Sequence, residues 1–561
     1  MIDLGAGPSM KAHWGAYDET IRQWMEKARE FLLVKRLWNK DASLWKRNSA
    51  EQKEIINRLG WLTVAGAMDS QISEIISFAD EIRSEGYATV VLIGMGGSSL
   101  VSETFQSIFG NKEGYPKLLV IDSTDPERIR DIAAAVQIRK TLFIVSSKSG
   151  ATIELISLFK YFFDEVRVNR GDKAGSQFIA ITDPGTPLEE LARLREFRKV
   201  FAGPPDVGGR FSALTPFGLV PAALIGVDIR KILESAGRLM EKSGETAPLF
   251  ENASLALGVG MAVLAEEGRD KLTLVTSKGL ESFGDWAEQL VAESTGKDDL
   301  GIVPVVREAI GETQLYGSDR FFVGILLDTL DNTPIETCLD AFRAQGHPVF
   351  TIRLKELSEL GGEFFRFEAA TAIACALLKV NAFDQPDVQA AKDKAKFLLK
   401  KIEQGDKVAI RSQGTSLEFF WENVNENDYI GILAFLPDRR ALRQKLTDLR
   451  ITLRDLTKKA VTLGIGPRYL HSTGQLHKGG ANNGNFLVIT AEHANDLQIP
   501  GEGFSFGQLE LAQAAGDLET LEMKGRNIFH FHLENLSEKA LADCIAKIKN
   551  SAKAVFQKST L

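Results

Sequence analysis

The chain has 561 residues, with 67 Lys+Arg against 75 Asp+Glu, a formal net charge of −8, and 44% hydrophobic and 25% charged residues. That balance argues against a general nucleic-acid binder, which needs a basic face, and the length provides for three or four folding units. No run approaches the ~18 apolar residues of a membrane span. The first residues, MIDLGAGPSMKAHWGAYDE, lack the basic-then-apolar order of a secretory leader. Cys338, Cys375 and Cys544 are too far apart for a disulfide framework or a metal motif. A reducing, cytoplasmic setting is expected.

Asp18 to Lys35 carries apolar residues at helical spacing, ending at Phe31, Leu32 and Leu33. Strands and helices then alternate. Tyr87–Gly94 (YATVVLIG), Lys117–Asp122 (KLLVID), Thr141–Ser146 (TLFIVS) and Gln177–Thr182 (QFIAIT) are apolar runs of the kind that buried parallel strands need. Helical patterns such as Ile153–Val166 and Thr186–Leu194 separate them, predicting βαβ units and a sheet covered on both faces. After an alanine-rich helix near Asn252–Glu267, Leu272–Ser277, Phe321–Leu327 and Pro348–Leu354 predict a second, smaller α/β unit. From Lys401 the texture changes. Gly405–Asn427 is polar and mixed, Tyr429–Leu436 reads as a strand, and Arg440–Leu463 as one long helix with a solvated Arg/Lys face. Two late strands follow, Phe486–Thr490 and Asn527–Leu533.

Five segments carry chemistry. Gly94-Met-Gly-Gly-Ser-Ser-Leu100 follows a strand, and its glycines admit a ligand or a close backbone neighbour. The following helix N-terminus would favour an anion. A dinucleotide loop has the same order, with Asp122 as its acid, but Ser99 stands at the third glycine position. A tight turn without ligand is the plain alternative. Ser146-Ser-Lys-Ser-Gly-Ala-Thr-Ile-Glu154 crowds hydroxyls and Lys148 between a strand and a helix, which suits a phosphate. Simple capping by Ser149 or Thr152 is the alternative. The Walker A frame is absent, so the phosphate belongs to a small metabolite. Gly208-Gly-Arg-Phe-Ser212 could aim Arg210 into a cleft, toward a phosphate or a developing oxyanion.

In Phe283–Lys297, Gln289 and Glu293 are four apart and share a helix face. Glu293 sits in the last turn, where the negative end of the helix dipole disfavours its charge, a direction that suits a general base. Trp286 and Leu290 on adjoining faces would help desolvate it. In Asn381–Lys392, Gln385 reads as a helix N-cap, Pro386 as the first helical residue, and Lys392 falls on the same face two turns on. Taken singly, Glu293 and Lys392 could each be a solvated helical charge.

These five motifs, in this order, resemble those of glucose-6-phosphate isomerase, over about Gly94 to Lys396. The resemblance implies an α/β fold. It comprises two sugar-isomerase (SIS) type three-layer αβα domains with parallel sheets (residues 1–235, with the N-terminal helices, and 236–400) plus a C-terminal α+β module (401–561). It implies interconversion of glucose 6-phosphate and fructose 6-phosphate through a cis-enediol. It places Ser98 in the first loop and Ser147, Lys148, Ser149 and Thr152 around the phosphate. Arg210 becomes the catalytic arginine, Gln289 a substrate ligand and Glu293 the base. Gln385 and Lys392 match the Phe-Asp-Gln…Lys signature. No cofactor and no metal are implied. The partners expected are a sugar phosphate and a second copy in a homodimer, with neither nucleic acid nor membrane.

There are departures. Asp387-Val-Gln389 replaces the usual Gly-Val-Glu, and Thr333–Gln345 lacks the family's ring-opening histidine, usually contributed by the partner subunit. His347 lies just beyond. Arg468-Tyr-Leu-His-Ser-Thr-Gly-Gln-Leu-His-Lys-Gly-Gly480 offers His471 as a catalytic substitute and His477 as a further substrate ligand. With no third ligand near these two, zinc is not expected. The module carrying them resembles the isomerase half of fused transaldolase–isomerase proteins, and the transaldolase half is not expected here. An isomerase of mannose 6-phosphate or of an amino sugar, and a non-catalytic sugar-phosphate sensor, are the other readings. Glu293 and Lys392 together count against the sensor.

Overall fold

The computed structural model describes residues 10–406 and 416–557. A first short strand, β1 (Met10–His13), pairs antiparallel with a strand more than 300 residues later, so the N-terminus is tied into the second unit. The first sheet contains β2 (Thr89–Gly94), β3 (Lys117–Ile121), β4 (Thr141–Ser146), β5 (Phe178–Thr182) and β6 (Lys199–Ala202). Its order is β3-β2-β4-β5-β6, and it is parallel throughout. Alternation sends successive side chains to opposite faces. Val90, Leu92, Leu142 and Ile144 join one core, and Val91, Ile93, Phe143 and Val145 another. That is the expected three-layer arrangement.

The second sheet contains β7 (Lys271–Thr276), β8 (Val303–Val305), β9 (Arg320–Leu327) and β10 (Val349–Leu354), ordered β1-β10-β9-β7-β8. Only β1 runs antiparallel. The third contains β11 (Tyr429–Phe435), β12 (Ala460–Ile465), β13 (Gly484–Ala491) and β14 (Asn527–Leu533), ordered β12-β11-β13-β14 and all parallel. The C-terminal unit is therefore α/β, not the expected α+β, because a helix crosses over between each pair of consecutive strands.

Four further expectations are corrected. The predicted helix over Asp18–Lys35 breaks where Leu32 adopts φ +53°, giving Asp18–Glu30 and Leu33–Trp38. The long helix ends at Thr457, Lys458 turns at φ +58°, and the rest of that stretch is β12. Short β1, β6 and β8 were not anticipated. The helix bearing Lys392 starts at Val388 with Asp387 at its N-cap, so Gln385 and Pro386 precede it. Of the polar stretch Gly405–Asn427, residues 407–415 lie outside the described residues, and Leu417–Glu422 is a short helix.

The C-terminal unit packs on both others. Leu509 and Ala512 of its helix Phe506–Met523 enter a core of the first unit, and Tyr469 and Leu476 share a core with Val303 and Val305. Among the described residues no helix is long and apolar enough to cross a membrane. The three cysteines are unpaired.

Candidate active site

Gly94 and Ser146 are register partners in β2 and β4, so the loops that follow leave the carboxyl edge of the sheet side by side. Ligands bind at such edges. The first loop acts as a hub. Gly96 has φ +56°, and a Cβ there would lie 2.8 Å from the His471 carbonyl and 2.9 Å from Gln289 Nε2. A Cβ at Gly97 would overlap the Gly209 carbonyl and come 3.0 Å from the Arg210 amide. Two glycines thus bring three distant segments together. Ser98 is buried in this turn. Asp122 accepts from Ser99 Oγ at 3.2 Å and pairs with Arg468 Nε at 3.4 Å, so it is engaged within the protein, unlike the acid of a dinucleotide loop.

Arg210 is buried and tightly held. Its Nε donates to Ser294 Oγ (2.9 Å), Nη1 to Gln385 Oε1 (3.1 Å), and Nη2 to the Ala382 and Asp384 carbonyls (2.7 and 2.8 Å). Nη1 also lies 3.3 Å from Glu293 Oε1. Gln289 Nε2 donates to Glu293 Oε2 at 3.0 Å and to the His471 carbonyl at 2.8 Å. Both come from the helix Glu281–Thr295, with Trp286 and Leu290 buried beneath. Glu293 keeps 13% exposure, an ionisable group at the edge of a dry wall. Behind Arg210, Lys297 is buried against Asp384 (3.0 Å) and donates to the Asn381 carbonyl. Burial, then the Arg210 charge, push Lys297 down to about 8.

His471 reaches this site from the C-terminal unit of the same chain. Its Nε2 lies 2.8 Å from Glu154 Oε1, and Gln513 Nε2 donates to that same oxygen at 2.6 Å. Burial alone would raise Glu154, but His471, then the helix amides and Lys392, hold it below its ordinary value. Glu154 and Gln513 carried no role in the sequence reading. Glu154 had one readable sign, its place in the first turn of the helix Ile153–Arg170, where the dipole favours an anion. Gln513 had none.

A cavity of about 220 Å³ opens beside this dyad, lined by Ser149, Thr152, Glu154, Lys392 and His471. Thr152 is the helix N-cap residue yet makes no side-chain cap bond, so its hydroxyl is not committed to capping. Ser147 Oγ accepts from the Gly150 amide at 3.0 Å, and Ser149 Oγ from Ala151 at 3.4 Å. Lys148, in the same loop, is engaged within the protein. Its ammonium pairs with Asp183 and donates to the Pro204 carbonyl, so it braces the loop. His477 is placed elsewhere. It is buried, bonded through Nδ1 to Tyr429 OH (3.0 Å), and packed on Phe486, and burial pushes it well below its ordinary value. His347 is buried against Phe322 and Phe342, where burial and Arg269 push it down to about 4. A larger cavity of about 740 Å³ lies where the three units meet, with Leu100 and Glu103 of the first unit in its wall. It is walled by pairs such as Arg307–Asp285 (2.7 Å) and Arg443–Asp438 (2.6 Å) and contains none of the expected site residues.

Parallel α/β units with a basic, hydroxyl-rich crevice at their carboxyl edges define a phosphosugar-isomerase type of fold. A solved structure shares it: the glucose-6-phosphate isomerase of Chlamydia trachomatis superposes with a TM-score of 0.54 at 17% identity, covering 69% of this chain and 87% of that one. A family model for phosphoglucose isomerase matches residues 55–304. The chain is 30% identical over 407 residues to the glucose-6-phosphate isomerase of Carboxydothermus hydrogenoformans, covering 63% of this chain and 87% of that protein. It is 28% identical over 380 residues to a probable glucose-6-phosphate isomerase of Methanococcus maripaludis, covering 61% and 84%. The chain belongs to the phosphoglucose isomerase family.

Proposed function

We propose that the chain is a glucose-6-phosphate isomerase that runs on Glu293 as base and His471 as ring opener. It interconverts glucose 6-phosphate and fructose 6-phosphate, a step of glycolysis and gluconeogenesis. The observation that carries the assignment of roles is the convergence of Arg210, Gln289 and Glu293 beside the His471–Glu154 pair. The hydroxyls of Ser147, Ser149 and Thr152, with the amides of the loop, bind the phosphate, anchoring the sugar by the end that does not react. Ser98 lines the turn beneath. His471, oriented by Glu154, moves the proton that opens the ring, and Lys392 stabilises the charge at the cavity mouth. Glu293 takes the proton from C2 and returns it to C1 through the cis-enediol. Arg210 stabilises the oxyanion by its fixed positive charge, exchanging its contact with Glu293 for the developing oxygen. Gln289 aligns Glu293, and Gln385 aligns Arg210.

The histidine here comes from the chain's own C-terminal unit, so a homodimer, if formed as the resemblance implies, is not needed to complete the dyad. The test is fructose 6-phosphate formation from glucose 6-phosphate by purified protein, with mannose 6-phosphate and glucosamine 6-phosphate in parallel. Binding of sugar phosphates without turnover of any would overturn the proposal. Light scattering gives the oligomeric state, and a fully active monomer would refute the dimer.

A further inference from the structure

Asp125, His493 and Glu510 meet where the C-terminal unit lies against the first. Asp125 caps the helix Pro126–Ala135 through Oδ1, which accepts from the Arg128 amide at 2.7 Å. Its Oδ2 points inward and accepts no hydrogen bond. Glu510 lies on the helix Phe506–Met523, and neither of its oxygens accepts a hydrogen bond. Both carboxylates are fully buried, at 0% exposure. His493 follows β13. Its Nε2 is 2.6 Å from Glu510 Oε2 but without hydrogen-bond alignment, and its Nδ1 is 3.9 Å from Asp125 Oδ2. One ligand atom from each residue lies within 4.8 Å of the other two.

Buried carboxylate oxygens without donors are costly and uncommon. A protonated imidazole beside two ionised carboxylates would leave this buried trio with net negative charge and at least one oxygen unmet. A divalent ion with a neutral imidazole balances both carboxylates and occupies the unmet oxygens together. We propose that Asp125, His493 and Glu510 bind one divalent transition-metal ion, with zinc the chemistry that one imidazole and two carboxylates suit, and that the ion fastens the C-terminal unit to the first. Its position has a consequence. Gln513 lies one turn from Glu510, donates to Glu154, and accepts from Thr124 Oγ1 at 3.1 Å, next to Asp125. The ion thus anchors both sides of the strap that orients His471. That consequence rests on the isomerase reading, whereas the metal site does not.

The test uses untagged full-length protein, stripped with chelator and dialysed against Zn²⁺, with metal counted by mass spectrometry and stability followed by thermal unfolding. Wild type is expected to retain about one zinc per chain and to gain a few degrees in Tm on loading. Glu510→Gln and His493→Ala are expected to lose both. Glu510→Gln preserves shape and serves if His493→Ala fails to fold. Folded wild type without stoichiometric zinc or a Tm gain, or equal retention by Glu510→Gln, would overturn the proposal and leave a histidine-bridged carboxylate pair. Isomerase turnover is read separately, so failure of either idea is recognised without the other.

Discussion

Glu288 neighbours Gln289 on the catalytic helix but faces the larger, charged cavity. Burial, then the Asp285 carboxylate, push it up to about 8 from an ordinary 4.5, against Arg450, Arg468 and Arg307. An acid with a raised folded-state value binds more protons folded than unfolded between those two limits, so stability falls as pH rises through that window. Each pH unit is worth about 1.4 kcal/mol, which sets a ceiling of ~3.4 kcal/mol at pH 7. The side chain keeps part of its surface exposed at the wall of that cavity, so a stabilisation of about 1–3 kcal/mol is expected when Glu288→Gln removes the ionisable proton. Thermal unfolding from pH 4.5 to 8 tests this. The variant should match wild type near pH 4.5 and exceed it progressively by pH 8. A difference that is constant with pH, or a variant less stable at pH 8, would refute the argument.

Glu293→Gln is expected to lower kcat by at least ~10²-fold with an unchanged circular dichroism spectrum, the scale of a lost general base. Near-wild-type turnover in a coupled assay would remove Glu293 from that role. His471→Ala should slow turnover of the ring-closed sugar more than that of an open-chain analogue, and equal slowing would argue against ring opening. Gln513→Leu should show the same bias at about 10-fold, the worth of one hydrogen bond to a charged group. Gly97→Ala should cost about 10²-fold in kcat/KM by displacing the Arg210 turn. Gly209→Ala, with nothing within 4 Å of a Cβ, should be silent. Comparable losses in both would show that steric fit at Gly97 does not set Arg210.

The fold of the first two units was largely legible in the chain. Long apolar runs separated by helical patterns admit few arrangements, and β4 and β14 match their predicted limits. What was missed is short or abutting. β8 has three residues, and β12 begins three positions after a helix ends, so its apolar pattern merges with the helix before it. The Gln289–Glu293 pair was legible because helical spacing alone puts both on one face.

Contacts between segments far apart in sequence were not legible. Lys148 and the loop serines are adjacent in sequence, but only the fold brings Asp183 to Lys148 and pairs the two charges. The sequence placed both His471 and His477, from one short motif, at the site. Six residues apart, one meets Glu154 across 317 positions while the other meets Tyr429 in an aromatic core. Local sequence determined which residues could do chemistry and on which element each sits, because periodicity and loop composition are local properties. Tertiary structure decided which of them share a site, because burial and pairing depend on which distant segment arrives at the same place.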